Sequence, residues 1–291
     1  MEKLHRNYRI AILGAGNIGL SIAKGLLRSE KFTPGNISLT RRRLYLLSEM
    51  EKSGVIILKD NKKAAANSDV IIIAVEPQQI DPLLREIGPV LKAGKQTIIS
   101  IVTGVRISQI EQITGEGISV VRAMPNIAIS VGESMTCLAS NDAGVNLYSG
   151  ETNADSGTKR SALDIAGDIF NKVGKTLVIN EEEMIAATAI GACGVAFFLR
   201  AIRAASQGGI EIGLQSGHAL AIATQAAKGA ASLLLSAGNH PEQEIDRVTT
   251  PKGCTIAGLN LMEYEGFSSA MIKGISLSAE KAGKLYSKDK F

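Results

Sequence analysis

Two stretches of the chain combine residue types and spacing that can support chemistry. One is the glycine-rich run Gly14-Ala15-Gly16-Asn17-Ile18-Gly19, and the other is Val248-Thr249-Thr250-Pro251-Lys252-Gly253-Cys254-Thr255. The first fits G-x-G-x-x-G, whose glycines allow a tight turn, close approach of the backbone to a pyrophosphate, and close packing of helix on strand. The second leads into a helix, where free N–H groups can bind a carboxylate. The two stretches predict a dinucleotide cofactor and a candidate substrate loop.

The candidate substrate loop has two interpretations. Gly253 and Cys254 are small and Thr255 is a natural N-cap residue, so a capped helix alone would explain the pattern. In the functional interpretation, the helix start binds a substrate carboxylate and the Thr255 hydroxyl hydrogen-bonds another polar atom of the substrate. The residue types by themselves leave both interpretations open.

The glycine run lies in the context that a dinucleotide site requires. It follows an apolar run at 9–13, which predicts a buried strand, and it precedes helical periodicity from Ile18 to Arg28. The N-terminus of that helix presents N–H groups to phosphates. All six residues of the run are therefore predicted to contact the cofactor.

The end of the second predicted strand, 37–40, indicates which cofactor is used. NAD-specific sites usually carry an acidic residue there, whereas this chain has Thr40 followed by Arg41, Arg42 and Arg43. Guanidinium groups attract a 2′-phosphate, which a carboxylate would repel. The pattern predicts NADPH rather than NADH, with Thr40, Arg41 and Arg42 as contacts; the alternative is a solvated basic helix start.

Ligands of doubly wound sheets bind beyond the carboxyl ends of the strands. The fourth predicted strand ends at residues predicted to line the cofactor: Ala74, Val75, Glu76 and Pro77. Residues 101–104 and the turn formed by Met124, Pro125 and Asn126 follow later strands. Asn126 has two interpretations: its side chain bonds the nicotinamide amide, or it orders a loop.

These residues have to be positioned by alternating strands and helices. Strands are predicted at 9–13, 37–40, 55–58, 69–75, 97–102 and 119–122, with helices at 18–28, 42–53 and 82–91. Residues 149–160 have the composition of a surface loop, and a helix and a strand follow at 163–178. From Glu181 onward the pattern is helical. The prediction is an α/β chain: a Rossmann-type doubly wound sheet in domain 1–180, followed by an all-helical domain, 181–291.

Composition excludes several other classes of protein. The net charge is only +4 and aromatic residues are 4% of the chain, so nucleic acid is not an expected partner. Three irregularly spaced cysteines predict neither a metal site nor a disulfide framework. The apolar stretch from Met184 to Leu199 is shorter than a membrane span and predicts a buried helix. No signal peptide is visible before the first strand, and we expect a cytoplasmic protein that does not enter membranes.

Four motifs recur in order across nearly the whole chain: the glycine run, Ala-Val-x-Pro-Gln at 74–78, Arg-x-Met-Pro-Asn at 122–126 and the loop from Thr249 to Leu259. In this order they resemble the pyrroline-5-carboxylate reductases. The resemblance implies NADPH-dependent hydride transfer to the C=N bond of 1-pyrroline-5-carboxylate, giving L-proline. It implies a homodimer or higher homo-oligomer built by the helical domain, with the active site formed by the cofactor domain and the dimer's helical part. The substrate contacts would be Val248, Lys252, Gly253, Cys254 and Thr255, with Thr255 as the catalytic residue.

The chain departs from the family's pattern at four places. Glu76 stands where lysine is usual, and Ile127-Ala128 where a Thr-Pro pair is usual. Val195 interrupts a Gly-Ser-Gly-Pro-Ala helix start, and Lys252 replaces a glycine. Lys252 could strengthen carboxylate binding or crowd the loop. These changes leave two alternatives open: a reductase of a related cyclic imine, or a catalytically degenerate NADP(H)-binding regulatory protein.

Imine reduction requires few catalytic groups from the protein, because a protonated pyrroline is already an electrophile and the cofactor supplies the hydride. No dedicated base is needed, and the three histidines form no constellation. A related two-domain hydroxyacid dehydrogenase is disfavoured, since its catalytic Lys and Asn positions would be Phe198 and Ile202 here.

Overall fold

The computed structural model describes residues 8–140 and 161–286; the loop predicted at 149–160 lies outside the described residues. The chain divides into two units. The first comprises Met1–Ala192 with Ala279–Phe291, and the second comprises Cys193–Ser278. The predicted boundary near residue 180 lies earlier, where the strand pattern stops, and it stays a prediction of where the helical domain begins.

The first unit is built on one sheet with the strand order β3-β2-β1-β4-β5-β6-β7-β8. Its strands are β1 (Ile10–Leu13), β2 (Ile37–Thr40), β3 (Ile56–Leu58), β4 (Val70–Ile73), β5 (Thr97–Ser100), β6 (Ser119–Met124), β7 (Ser134–Ser140) and β8 (Gly174–Val178). Neighbouring strands are parallel except for β6 and β7, which are antiparallel. The order reverses between β1 and β4, as in a doubly wound fold.

Both faces of the sheet are covered, which is why the central strands β1 and β4 are apolar at every position. Ile10 and Ile12 of β1 belong to one buried cluster, and Ala11 and Leu13 belong to the other. A parallel strand buried on both faces has a continuous hydrophobic run rather than an alternating one. The runs in β1 and β4 therefore predicted central strands correctly.

The helices of the first unit are α1 (Asn17–Arg28), α2 (Ser48–Lys52), α3 (Asn61–Ala66), α4 (Ile80–Ile87), α5 (Ile107–Thr114), α6 (Ala162–Phe170) and α7 (Met184–Ala187). A π-helical segment, Thr188–Cys193, follows α7. Three elements were missed from sequence: α3, α5 and β7. The polar helix expected at 42–53 is a 3-10 turn, Leu44–Leu47, followed by the short α2.

The second unit is helical. It contains α8 (Gly194–Glu211), α9 (Ser216–Ala237), α10 (Pro241–Val248), α11 (Cys254–Tyr264) and the larger part of α12 (Phe267–Gly283). Two helical stretches, Glu181–Glu211 and Ser216–Ala237, are long and apolar enough to cross a membrane by length and composition alone.

The prediction of a buried helix at 184–199 is wrong for the single chain. Phe198 and Leu199 in α8 expose 63% and 55% of their surface, and Ile222 in α9 exposes 56%. Apolar composition predicts that a helix will be covered, but it does not tell whether the covering surface belongs to the same chain.

Candidate cofactor and substrate sites

The glycine run forms the turn between β1 and α1, and backbone hydrogen bonds tie it to the end of β2. The Gly14 N–H donates to the carbonyl oxygen of Thr40 at 3.2 Å and lies 3.4 Å from its hydroxyl, while the Ala15 N–H donates to the same carbonyl at 2.8 Å. Gly14 has φ +95°, which side-chain-bearing residues rarely adopt. The predicted phosphate turn and the predicted ribose position are therefore adjacent.

Each glycine of the run has a different steric surrounding. A Cβ on Gly14 would lie 2.7 Å from the carbonyl oxygen of Ala74, and a Cβ on Gly19 would lie 2.7 Å from that of Gly14. A Cβ on Gly16 would meet nothing within 4 Å. Gly16 is the N-cap of α1 and no side chain caps that helix. Gly14 and Gly19 are thus required by close contacts with neighbouring atoms. Gly16 instead leaves open space at the N-terminus of α1, and a pyrophosphate fits such a space.

Thr40 and the arginines after it lie beside this turn. Thr40 is 2% exposed, with its hydroxyl directed to the backbone of Gly14. Arg41 is half-buried, whereas Arg42 and Arg43 are exposed before the 3-10 turn Leu44–Leu47. The three arginines therefore follow directly in sequence on the carboxyl end of β2, whose last residue contacts the glycine turn.

Two further strand ends lie along the same edge of the sheet. Ala74 and Val75 after β4 are half-buried, as is Pro77, while Glu76 is exposed at the N-cap of a short 3-10 turn. Because the Glu76 carboxylate is solvated, its repulsion of a phosphate is screened. After β5, the loop turns at Gly104, which has φ +83°.

The turn that follows β6 is buried, and the Asn126 side chain is engaged within the protein. Its Oδ1 accepts from the Ala128 N–H at 3.0 Å, and its Nδ2 donates to the carbonyl oxygen of Gly191 at 2.9 Å. Met124, Pro125 and Asn126 are all buried. The structure thus shows Asn126 ordering its loop and the π-helical segment; direct cofactor contact by these three residues stays a prediction.

A buried ion pair, not anticipated from sequence, lies near this turn. Arg122 Nη1 is 3.1 Å from Glu181 Oε1, and the same oxygen accepts the Ile107 N–H at 2.7 Å. Burial lowers the pKa of Arg122 from its ordinary value, against the opposite effect of the Glu181 carboxylate. The pair joins β6 and the start of α5 to the chain just before α7. In the sequence Arg122 is part of the Arg-x-Met-Pro-Asn motif, and nothing in its spacing from Glu181 indicates that the two residues pair.

The candidate substrate loop is a tight turn between α10 and α11. The Gly253 N–H donates to the Thr250 carbonyl oxygen at 2.9 Å across Pro251 and Lys252. Lys252 has φ +60°, the left-handed conformation that favours glycine at the third position of such turns. Val248, at the end of α10, and Lys252 are both exposed. The family's glycine at position 252 thus has a conformational reason, and lysine is accommodated there at some backbone cost.

Of the two interpretations of the candidate substrate loop, the one in which Thr255 caps α11 does not hold. The N-cap is Gly253, without a side-chain cap, and the helix starts at Cys254, so Thr255 is its second residue. Gly253 is required by space, because a Cβ there would lie 2.6 Å from the Thr250 hydroxyl. Cys254 and Thr255 are exposed. The Thr255 hydroxyl does not cap α11. It lies in the first turn of this helix, whose N–H groups have no side-chain cap.

Comparison with family models covers both loops. Residues 9–104 match the model described as NADP oxidoreductase, coenzyme F420-dependent, and residues 181–285 match the model for pyrroline-5-carboxylate reductase dimerisation. The first range contains the glycine turn and the arginines, and the second contains the substrate loop. The first match supports NADPH as the cofactor. The second accounts for the exposed apolar side chains of α8 and α9 by homo-oligomerisation.

Comparison with known proteins extends the likeness to the whole chain. It is 47% identical over 285 residues to pyrroline-5-carboxylate reductase 1 of Dictyostelium discoideum, covering 98% of this chain and 51% of that protein, so it spans about half that relative's length. It is 46% identical over 284 residues to pyrroline-5-carboxylate reductase 2 of the same organism, covering 97% and 94%.

A solved structure shows the same fold. The crystal structure of Plasmodium falciparum pyrroline carboxylate reductase with NADP bound matches with a TM-score of 0.83 at 24% identity, covering 97% of this chain and 99% of that one. For the second Dictyostelium relative, the sequence identity extends over nearly all of both chains. The chain belongs to the pyrroline-5-carboxylate reductase family of NAD(P)H-dependent oxidoreductases.

Proposed function

We propose that the chain reduces the C=N bond of 1-pyrroline-5-carboxylate with NADPH to give L-proline, the last step of proline biosynthesis. One observation carries the proposal: the candidate cofactor loop lies in the unit that contains the sheet, and the candidate substrate loop lies in the helical unit. The glycine turn with open space at Gly16 lies in the first unit, and the turn ahead of Thr255 lies in the second. The direct test is formation of L-proline from 1-pyrroline-5-carboxylate by the full-length chain, with a six-membered cyclic imine as the comparison substrate.

The cofactor is held by backbone groups and by arginines in this proposal. The uncapped start of α1 binds the pyrophosphate, and Gly16 keeps the space for it open. Arg41 and Arg42 bind the 2′-phosphate beside Thr40. NADPH supplies the hydride when bound. The strand-end residues Ala74 to Pro77 line the same edge and exclude water from it.

The substrate is held by the start of α11. Its uncapped N–H groups bind the carboxylate, and the exposed Thr255 hydroxyl hydrogen-bonds the ring nitrogen. Holding both ends of a small ring fixes the face that it presents, which is the protein's main contribution when the electrophile is already activated. Val248, Lys252, Gly253 and Cys254 shape the loop around this position.

No general base is assigned, which agrees with the surroundings of the histidines in the second unit. His240 Nδ1 accepts the Glu242 N–H at 3.3 Å and caps α10, while His218 is exposed on α9. A hydroxyacid dehydrogenase would need a proton-transferring residue on α8, where the chain has Phe198 and Ile202.

We further propose a homodimer, or a higher homo-oligomer, in the cytoplasm, without a membrane or nucleic-acid partner. Exposed apolar side chains on α8, α9 and α11, among them Phe198, Ile222 and Leu261, supply a surface that a second copy would bury. An obligate interface of this kind resembles a protein core, which accounts for helices that also meet the length and composition of a membrane span.

Arg41 tests the choice of cofactor. Replacing it with alanine should raise the KM for NADPH by about ten-fold, the effect of one lost charge-assisted hydrogen bond to a phosphate. The KM for NADH should stay within about two-fold, because NADH has no 2′-phosphate and loses no such contact. Initial rates with each cofactor measure both constants. Equal effects on the two would show that Arg41 does not distinguish them.

Lys252 separates backbone strain from charge in the substrate loop. Because Lys252 has φ +60°, glycine there should raise the free energy of unfolding by about 0.5–1 kcal/mol. Losing the ammonium group should raise the KM for the imine about five-fold if it attracts the carboxylate. Lys252→Asn is the matched control, since asparagine tolerates this conformation but has no charge. A KM unchanged in both variants would leave Lys252 outside the substrate site.

A further inference from the structure

We infer that Tyr286 is a positioning residue for the cofactor, because it joins the loops that follow β4 and β5 at the edge proposed to bind NADPH. This inference rests on the proposed function. Tyr286 belongs to the part of the first unit that returns at the chain's end, Ala279–Phe291, far in sequence from both loops. No motif in the sequence pointed to it.

The first contact reaches the helix that follows β4. The Tyr286 hydroxyl donates a hydrogen bond to Asp81 Oδ1 at 2.8 Å, across 205 residues of sequence. Asp81 lies in the first turn of α4, and residues 74–79 connect the end of β4 to this helix. A carboxylate acceptor makes this hydrogen bond stronger than one between neutral groups. The contact therefore fixes the entry into α4.

The second contact reaches the loop that follows β5. A Cβ on Gly104 would lie 3.3 Å from the carbonyl oxygen of Ala282 and 3.4 Å from both the Cβ and the backbone nitrogen of Tyr286. Gly104 also has φ +83°, so its conformation and its close neighbours both favour glycine. The backbone of the β5 loop thus lies close to Ala282 and Tyr286.

Tyr286 is suited to hold the two loops together at neutral pH. Burial, with the hydrogen bond to the Asp81 carboxylate, raises the pKa of Tyr286 to about 12. The phenol therefore remains a donor throughout the pH range in which the enzyme would work. Its ring also packs against the hydrophobic cluster on this face of the sheet, which contains Ile80 and Val102. Tyr286 thus reaches the start of α4 with its hydroxyl and the β5 loop with its backbone and Cβ.

Tyr286→Phe removes the hydroxyl and keeps the ring. We expect the Kd of NADPH, measured by cofactor fluorescence with the full-length protein, to rise about five-fold. The KM for NADPH should rise equally, whereas kcat and the KM for the imine should stay within about two-fold. Lys284→Ala is the control: Lys284 pairs with Glu280 on the same helix end and is exposed, so the Kd should not change.

A double-mutant cycle with Asp81 identifies the hydrogen bond as the cause. Asp81→Ala should raise the Kd as Tyr286→Phe does, and the double variant should be no worse than either. Asp81→Asn keeps an acceptor oxygen and should restore most of the affinity. A Kd unchanged in Tyr286→Phe, or effects that add in the double variant, would overturn the inference while leaving the proposed function intact. A wild-type protein that does not bind NADPH would overturn both.

Discussion

Replacing Thr255 with valine is expected to lower kcat/KM for 1-pyrroline-5-carboxylate by about 10²–10³-fold, the usual effect of removing one positioned hydrogen-bonding group from a reacting atom. Valine has the same shape as threonine and both are β-branched, so the helix should be equally stable. Thr255 is exposed at the second position of α11 and does not cap it. The loss should therefore come from chemistry rather than folding, and it should appear mainly in kcat.

Thr255→Ser provides the matched control. Serine keeps the hydroxyl and should retain most of the activity, while the thermal midpoints of both variants should stay close to that of the wild type. A valine variant with kcat/KM within about three-fold of wild type would remove Thr255 from the reaction. NADPH binding should be unaffected in both, which separates this position from the cofactor site.

Replacing Gly16 with valine should raise the Kd of NADPH by about 100-fold, equivalent to ~3 kcal/mol of overpacking. The free protein should still fold, losing about 1 kcal/mol at the N-cap of α1, because a Cβ on Gly16 meets nothing within 4 Å and its backbone, at φ −77° and ψ −155°, is open to other residues. The added side chain would instead occupy the space that a pyrophosphate requires. Fluorescence titration measures the Kd, and thermal unfolding measures the fold.

Two other glycines complete this experiment. Gly14→Val should destabilise the protein itself, since the new Cβ would lie 2.7 Å from the Ala74 carbonyl oxygen at a φ of +95°. Gly35→Val should change neither quantity much, because its surroundings are open and it precedes β2, at the opposite edge of the sheet. Normal NADPH binding by the Gly16 variant would contradict the placement of the pyrophosphate.

The elements of the fold that could be predicted from sequence are those that a short stretch of residues determines by itself. The apolar runs of β1 and β4 predict strands because both faces of the sheet are covered, and the glycine run marks the first turn by its spacing alone. The strand β7 was missed because its buried positions include Ser134 and Thr136, so it has no continuous apolar run, although it pairs with the preceding strand β6. The short helix α3 was missed because six residues carry too little periodicity to identify a helix.

The residues of the candidate site that could be predicted from sequence are the glycines at positions where a side chain would not fit. Gly14, Gly19 and Gly253 are each required by contacts under 3.0 Å, and such demands leave a pattern in sequence. Residue preference left Thr255 open as an N-cap, whereas Gly253 takes that position in the structure. Contacts such as Tyr286 with Asp81 join residues whose types are common and whose separation is large, so only the fold reveals them.

Initial rates of NADPH and NADH oxidation by the purified chain with 1-pyrroline-5-carboxylate test the proposed function most directly. We predict rapid turnover that is faster with NADPH, because guanidinium groups rather than a carboxylate follow Thr40 at the ribose position. Turnover that prefers NADH would retain the reaction and remove the role proposed for Arg41 and Arg42. Binding of NADPH without turnover of this imine by either cofactor would contradict the central claim.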